Sequence, residues 1–377
     1  MLCHVCILDE NPIPLITPLV DPSIPSDGVI FAYQKQHTDS LTHLKQQMKG
    51  RGLVVHEWAL PDSALVSEHK LSFLELIEQF ADHELWLNAS SGDRHINLAA
   101  YEVFRLYTYS VFCLDPKTDV VSWIYPDNRA LREVSDTIKV KHYLEAYGAR
   151  EVTHISHKGI ASAELEMTLG WVKHNHDYQR AIRSLNFLAS SANNEKLTSD
   201  RLNFEQLSSK ALNWIIEDLG KLGYCELRKD RLIFKNEQYR FFANGGWLEN
   251  YVFGLVRKLR KSLPTLQDDA YSVEVERVVS GGTIRNELDV AFLANNRLHI
   301  IECKTKHFAY GEGNALIYKL DSLVDTLGGL HARGMVVSYL PITKSEKRRA
   351  KDLGIEVIDF DNIQSLESRL MNWIKSS

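Results

Sequence analysis

Residues Asn286 to Lys306 read NELDVAFLANNRLHIIECKTK. Apolar and polar residues alternate on both sides of Asn295-Asn296, the pattern of two antiparallel strands joined by a tight turn. Asparagine tolerates the left-handed backbone that such a turn needs. A turn centred between the two asparagines sets Asp289 directly across from Glu302. Opposed residues share one face of a sheet, as do residues two apart on one strand. Lys304 therefore joins Asp289 and Glu302, while Ile301, Cys303 and Thr305 face the core.

Two opposed carboxylates repel and weaken a hairpin unless a cation lies between them. Carboxylate oxygens suit hard ions such as Mg²⁺ or Mn²⁺. Such an ion acidifies water and counters the charge building on a phosphate. A nearby lysine can orient or deprotonate that water. A lone Glu-x-Lys on a strand is ordinarily a solvated pair of charges. The register match to Asp289 makes Asp289, Glu302 and Lys304 candidate catalytic residues for phosphodiester hydrolysis, with the two acids as metal ligands.

The length of 377 residues suits two or three domains, and 44% apolar residues is ample for packed cores. A net charge of −5 gives no global argument for nucleic-acid binding, which must rest on local basic patches. Cys3, Cys6, Cys113, Cys225 and Cys303 sit mostly in apolar strand-like runs. The Cys3/Cys6 pair has no second pair to complete a zinc site. The pattern fits a reducing cytoplasm. No charged leader precedes an apolar core and no run of 18 apolar residues occurs, so neither a secretory signal nor a membrane span is expected.

The N-terminal part alternates strand and helix. Strands are expected at 4–8, 28–33, 53–60 and 84–88, with helices at 39–49, 64–81 and 96–107. Two more strands follow at 110–114 and 120–125, then a helix at 140–147. This order predicts an α/β domain with an open, mostly parallel sheet and helices on both faces. Ligands in such sheets bind beyond the carboxyl ends of the strands. Two loops lie there: the turn after the first strand, with Asp9, Glu10 and Asn11, and the segment Asn88–Arg94, with Ser90, Ser91, Gly92 and Asp93. The second loop fits a phosphate cradled by a helix N-terminus, and equally a capped helix start. No complete G-x-G-x-x-G is present, which argues against a dinucleotide cofactor.

Residues 153–240 read as mainly helical, and 207–234 resembles a winged helix. Glu217 and Asp218 on the helix before the wing favour a rigid spacer over a nucleic-acid contact. A helix from Trp247 to Leu263 then carries Glu249 beside its apolar stripe. Lys344, Lys347, Arg348, Arg349 and Lys351 form a basic helix that suits either nucleic acid or a solvated face.

The order helix with Glu, strand, strand with Asp, strand with Glu-x-Lys, helix, strand resembles the core of PD-(D/E)xK nucleases over Gly245–Phe360. Leu288 stands where that family has Pro. The resemblance implies Glu249 as a helix-borne catalytic acid, the carbonyl of Cys303 as a third metal ligand and Lys304 as the catalytic lysine. The segments NASSGDRHINLAAYE (Asn88–Glu102) and KVKHYLEAYG (139–148) resemble a CARF domain, the Rossmann-like sensor of type III CRISPR ancillary proteins. Ser90-Ser91-Gly92-Asp93-Arg94 replaces the usual Thr-Gly-Gly-Thr-Lys-like turn, and Asp93 brings a negative charge there.

Together these resemble CRISPR-associated nucleases switched on by cyclic oligoadenylate, chiefly cyclic tetra-adenylate. The resemblance implies a homodimer with one activator between two CARF domains, acting on DNA or RNA. The expected domains are a sensor at 1–152, a linker at 153–240 and a nuclease at 241–377. Two other functions are compatible with the same residues: an activator-independent repair or restriction-type nuclease, and a transcription regulator with an inert nuclease-like domain.

Overall fold

The computed structural model describes residues 1–135, 137–154, 159–192, 196–279, 281–306 and 312–376. The first layer is assembled from β1 (Leu2–Ile7), α1 (Ile13–Val20), β2 (Gly28–Tyr33), α2 (Thr38–Gly50), β3 (Val54–Ala59), α3 (Val66–Gln79), β4 (Glu84–Asn88), α4 (Arg94–Leu106), β5 (Ser110–Asp115), β6 (Val120–Tyr125), β7 (Arg132–Glu133) and α5 (Val140–Ala146). Its sheet runs β3-β2-β1-β4-β5-β6-β7. The strands from β3 to β5 are parallel, and β6 and β7 join antiparallel. Strand order reverses beside β1, so the loops after β1 and β4 meet at one crevice.

The sequence pattern does not foresee α1. Its run IPLITPLV carries Pro14 and Pro18, which ordinarily argue against a helix. Pro14 is harmless in the first turn. Pro18 lacks the N–H that would bond the carbonyl of Pro14, and the side-chain amide of Asn88 donates to that carbonyl instead, at 3.1 Å. Tertiary contact thus repairs the defect that the sequence advertises.

The rest of the chain forms β8 (Glu151–His154), α6 (Ser162–Lys173), α7 (Asn175–Ser191), α8 (Phe204–Ser208), α9 (Lys210–Lys221), β9 (Cys225–Arg228), β10 (Arg231–Phe234), α10 (Glu237–Phe241), α11 (Trp247–Arg260), β11 (Leu266–Val279), β12 (Gly282–Ala294), β13 (Arg297–Lys304), α12 (Glu312–Gly328), β14 (Arg333–Ser338), α13 (Lys344–Asp352), β15 (Glu356–Ile358) and α14 (Leu366–Lys375). The second large sheet runs β15-β14-β13-β12-β11-β8. The boundary expected after residue 152 falls inside β8, which pairs antiparallel with β11. The first layer therefore hands the second sheet its edge strand before the chain enters the helical segment.

That helical segment is not a detached spacer. Trp171, Leu185, Ile215 and Phe234 share one apolar core with Leu248, Val252, Ile301 and Trp373. On the opposite face of the second sheet, Ile300, Leu320 and Leu327 share a core with Leu15, Leu44 and Tyr143 of the first layer. The second sheet is thus covered by the helical segment on one side and by α12 and the first layer on the other. Among the described residues, no helix is long and apolar enough to cross a membrane.

Candidate active site

The hairpin of β12 and β13 forms in the expected register, with Val290 opposite Ile301 and Ala294 opposite Arg297. Asn295 (φ 49°) and Asn296 (φ 51°) are both left-handed, the signature of a type I′ turn. Gln267 locks the turn: its Oε1 accepts the Asn296 N–H at 2.8 Å and its Nε2 donates to Asn296 Oδ1 at 2.9 Å.

The ladder ends at Val290/Ile301, one pair before Asp289 and Glu302. The strands part where the two acids stand. The neighbouring strand is irregular at the same level, at Ser272, whose φ of 50° is left-handed without glycine and which drops out of the pairing opposite Asp289. Tyr271 packs on one core and Val273 on the other, and the same reversal separates Leu288 from Val290. The local kink turns Asp289 inward, and its Oδ2 accepts the N–H of Cys303 at 2.7 Å. In a strand the N–H and C=O of one residue point to the same side. The Cys303 carbonyl therefore also points to the Asp289 side of β13.

Glu302 is 1% exposed. Lys304 Nζ lies 3.3 Å from its Oε2 and Lys319 Nζ lies 2.8 Å from its Oε1. Glu249 arrives from the first turn of α11. The chain enters that helix through a wide turn at Phe242–Gly246, with Gly245 at φ 122°. A Cβ on Gly245 would lie 2.5 Å from Thr305 Oγ1, so the Gly-Gly pair permits both the kink and the close approach to β13.

The electrostatics are those of an under-compensated acid cluster. Burial pushes the Glu249 carboxyl well up, and Asp289, Glu287 and Glu302 add to the rise while Lys304 opposes it. Burial likewise raises Asp289, with Glu302 adding to it. Burial alone would lower Lys304, but Glu302 and Asp289 outweigh it and hold the ammonium above its ordinary value. Among the described residues Glu249 Oε2 is buried without a hydrogen-bond partner, and Glu302 Oε2 has only the ion pair to Lys304. Under-satisfied carboxylate oxygens beside excess negative charge fit a hard divalent cation. Among the described residues no three Asp, Glu, His or Cys side chains converge as a ligand set. Asp289 and Glu302 would thus be completed by the Cys303 carbonyl and by water, as suits an ion held through two carboxylates.

At the other crevice, Asp9 is turned inward as a clasp. Its Oδ2 accepts the Gly92 N–H and its Oδ1 accepts the Asn11 N–H, both at 2.7 Å. The Ser91 hydroxyl bonds to Asp9 and lies 2.8 Å from the Asn11 carbonyl. Gly92 (φ 100°) has no room for a Cβ, which would meet Ile7 at 2.5 Å. Asn88 departs from its expected place as a ligand contact: it is fully buried, donating to Pro14 and accepting from the Ser90 N–H at 3.1 Å. Ser90 is also spoken for, accepting from the Leu114 N–H at 2.7 Å. Glu10, Asp93 and Arg94 are exposed on the rim, and Asn11 is half-buried.

Residues 235–377 match the family model of the Card1-like endonuclease domain. Over its whole length the chain superposes on protein VC1899 from Vibrio cholerae, with 35% identity, a TM-score of 0.91 and 98% of that chain covered. This chain belongs to one family with VC1899, and its C-terminal part is a Card1-like endonuclease domain. Can2 from Sulfobacillus thermosulfidooxidans, solved in complex with cyclic tetra-adenylate, is 25% identical with a TM-score of 0.82, covering 99% of both chains. A type III CRISPR defence DNA nuclease activated by cyclic oligoadenylate shares the fold at 15% identity and a TM-score of 0.54, over 51% of its length. No protein with a curated record matches the sequence.

For a Card1-like nuclease, the sequence reading placed Asp289, Glu302, Lys304 and Glu249 in one neighbourhood, and the fold brings them together. It missed Lys319, which the α12 pattern shows only as a lysine at the edge of an apolar stripe. It also missed Glu287, beside Asp289, which accepts from the Ser272 hydroxyl at 2.7 Å. At the sensor crevice it missed Asn97, whose side-chain amide donates to the carbonyls of Ser91 and Gly92 at 2.9 and 2.8 Å and fixes the turn.

Proposed function

We propose that this chain is a divalent-metal-dependent nuclease, held idle until a cyclic oligoadenylate, cyclic tetra-adenylate by the likeness to Can2, occupies the crevice between two copies of its sensor layer. One observation carries the nuclease half: a buried Glu302 at the parting of β12 and β13, ion-paired to Lys304, with Asp289 and Glu249 near enough to raise one another's carboxyls. A bound Mg²⁺ or Mn²⁺ supplies positive charge opposite the scissile phosphate and a more acidic water. Asp289 and Glu302 hold the ion, joined by the Cys303 carbonyl. Lys304, kept charged by its two acid neighbours, orients the attacking water and steadies the phosphate. Glu249, whose carboxyl is pushed up, is a proton-exchanging group beside the pair.

The sensor half rests on the two pinned loops. Asn11, Asp93 and Arg94 line the crevice, while Asp9, Ser91 and Gly92 shape its floor. A cyclic ligand with repeating phosphates matches a two-fold homodimer, which presents the same loops twice.

The test is a cleavage panel. Plasmid, single-stranded DNA and RNA are incubated with Mg²⁺ or Mn²⁺, with and without cyclic tri-, tetra- and hexa-adenylate. Metal-dependent cutting that appears only with cyclic tetra-adenylate is the expected result. Cutting at full rate without any activator would overturn the regulated reading. Cutting that survives Glu302→Gln would overturn the assigned site.

A further inference from the structure

Glu302 is held by two lysines, one on each carboxylate oxygen, and the site as read above uses only one of them. Lys304 stands on the same strand, at 3.3 Å from Oε2. Lys319 comes from α12, at 2.8 Å from Oε1, and makes the shorter contact. Their exposures differ in a telling way. The Lys319 side chain is 47% exposed and reaches down from solvent, while Glu302 is 1% exposed. Nothing else among the described residues holds Lys319 in place. Its anchor is the carboxylate oxygen itself.

An ammonium and a divalent ion compete for the lone pairs of one carboxylate oxygen. Whichever occupies it repels the other, and at contact range in a partly desolvated site that repulsion is large. Asp289 gives one oxygen to the Cys303 N–H, so the pair of acids has few lone pairs to spare.

We propose that Lys319 is a placeholder for the metal: it neutralises Glu302 in the metal-free site, must release Oε1 when the ion arrives, and thereby sets the enzyme's affinity for that ion. This rests on the metal-dependent reading above. The half-exposed side chain, once displaced, stays at the mouth of the site, where a nucleic-acid phosphate offers it a new partner. Lys319 is thus a positioning residue with two partners in succession, whereas Lys304 is tied to the strand and keeps its place.

The experiment measures Mn²⁺ binding to the full-length protein, without substrate, by the loss of the free-ion EPR signal and by calorimetry. Lys319→Ala and Lys319→Gln are expected to bind Mn²⁺ about tenfold more tightly than the parent, about 1.4 kcal/mol. Lys319→Arg, which keeps the charge, is expected to stay near the parent. In cleavage assays the alanine variant should need less Mn²⁺ for half-maximal rate yet show a raised KM for nucleic acid. Equal or weaker Mn²⁺ binding by both neutral variants overturns the proposal while leaving the metal site intact. Absence of Mn²⁺ binding in parent and variants alike overturns the metal reading and the placeholder with it. Melting curves confirm that each variant is folded, and the glutamine variant keeps a hydrogen-bond donor should alanine unsettle α12.

Discussion

At the scale of single residues, Asp289 is a buried carboxylate whose stability cost is what the proposed metal-ligand role would require. It is 9% exposed, is raised by Glu302, and is offset by the Lys304 ammonium and the Cys303 N–H. An under-compensated buried charge destabilises a fold, and a neutral isostere relieves that penalty. Asp289→Asn retains an oxygen for the Cys303 N–H and removes the repulsion. Its melting temperature, measured without metal, is expected to rise by roughly 2–4 °C per kcal/mol recovered. Its metal-supported cleavage is expected to fall by about 100-fold or more, since a ligand is lost. A variant that melts lower than the parent would show that the Asp289 charge is compensated in the metal-free protein. Glu302→Gln should behave differently, because Lys304 and Lys319 both lose an ion pair. The same loss of activity should there come with a lowered melting temperature.

At the scale of elements, the β12–β13 hairpin is the device that aligns the acids, and its turn can be dissected. Asn296 contributes both a left-handed backbone and a buried side-chain contact with Gln267. Asn296→Gly keeps the backbone preference and loses the contact, at a cost of about 1 kcal/mol. Asn296→Ala loses both, and a further roughly 1 kcal/mol is expected for forcing alanine to φ near 50°. Urea melts of the two variants separate the terms, and equal midpoints would show that the backbone term is absent. This hairpin was legible in the sequence because period-two alternation and an Asn-Asn turn are local signals. Register pointed to the acids' neighbourhood, but the pairing stops at Val290/Ile301, and Asp289 turns to the Cys303 N–H instead of standing squarely opposite Glu302. The devices that sharpen it were not legible. The kink at Ser272 lies on a different strand and breaks no sequence rule. Strand β8 is four residues long, and its partner in β11 lies more than a hundred residues away in sequence. Helix α1 contradicts its own prolines until Asn88 is placed against it. Each miss is a tertiary contact overriding a local preference.

At the scale of the whole molecule, the question is how a crevice on the first sheet reaches a site on the second. Helix α5 stands between them, and its aromatic residues touch both. The Tyr147 hydroxyl donates to Asn11 Oδ1 at 2.9 Å, on the crevice loop. The Tyr147 ring stacks on Tyr143 at 5.3 Å, and the Tyr143 hydroxyl donates to the Gly328 carbonyl at 3.0 Å, at the C-terminal end of α12. The same α12 carries Lys319 to Glu302. The type I′ turn is tied in as well, since Arg297 Nη2 donates to the Pro116 carbonyl at 3.1 Å, on the loop between β5 and β6. A ligand that reordered the Asn11 loop would therefore pull on contacts that lead to the two elements framing the acid pair, α12 and the hairpin. Contiguity alone does not establish coupling; a measured change in linkage does. Tyr147→Phe deletes only the hydroxyl that grips Asn11 and leaves the ring stack, so the fold should lose no more than about 1 kcal/mol. Activator binding, read by calorimetry with cyclic tetra-adenylate, is expected to stay within about threefold of the parent. Stimulation of cleavage at saturating activator is expected to drop by about tenfold, a coupling change of about 1.4 kcal/mol. If stimulation per bound activator is unchanged, the signal does not run through α5, and the Arg297 tie to the β5–β6 loop becomes the route to cut next.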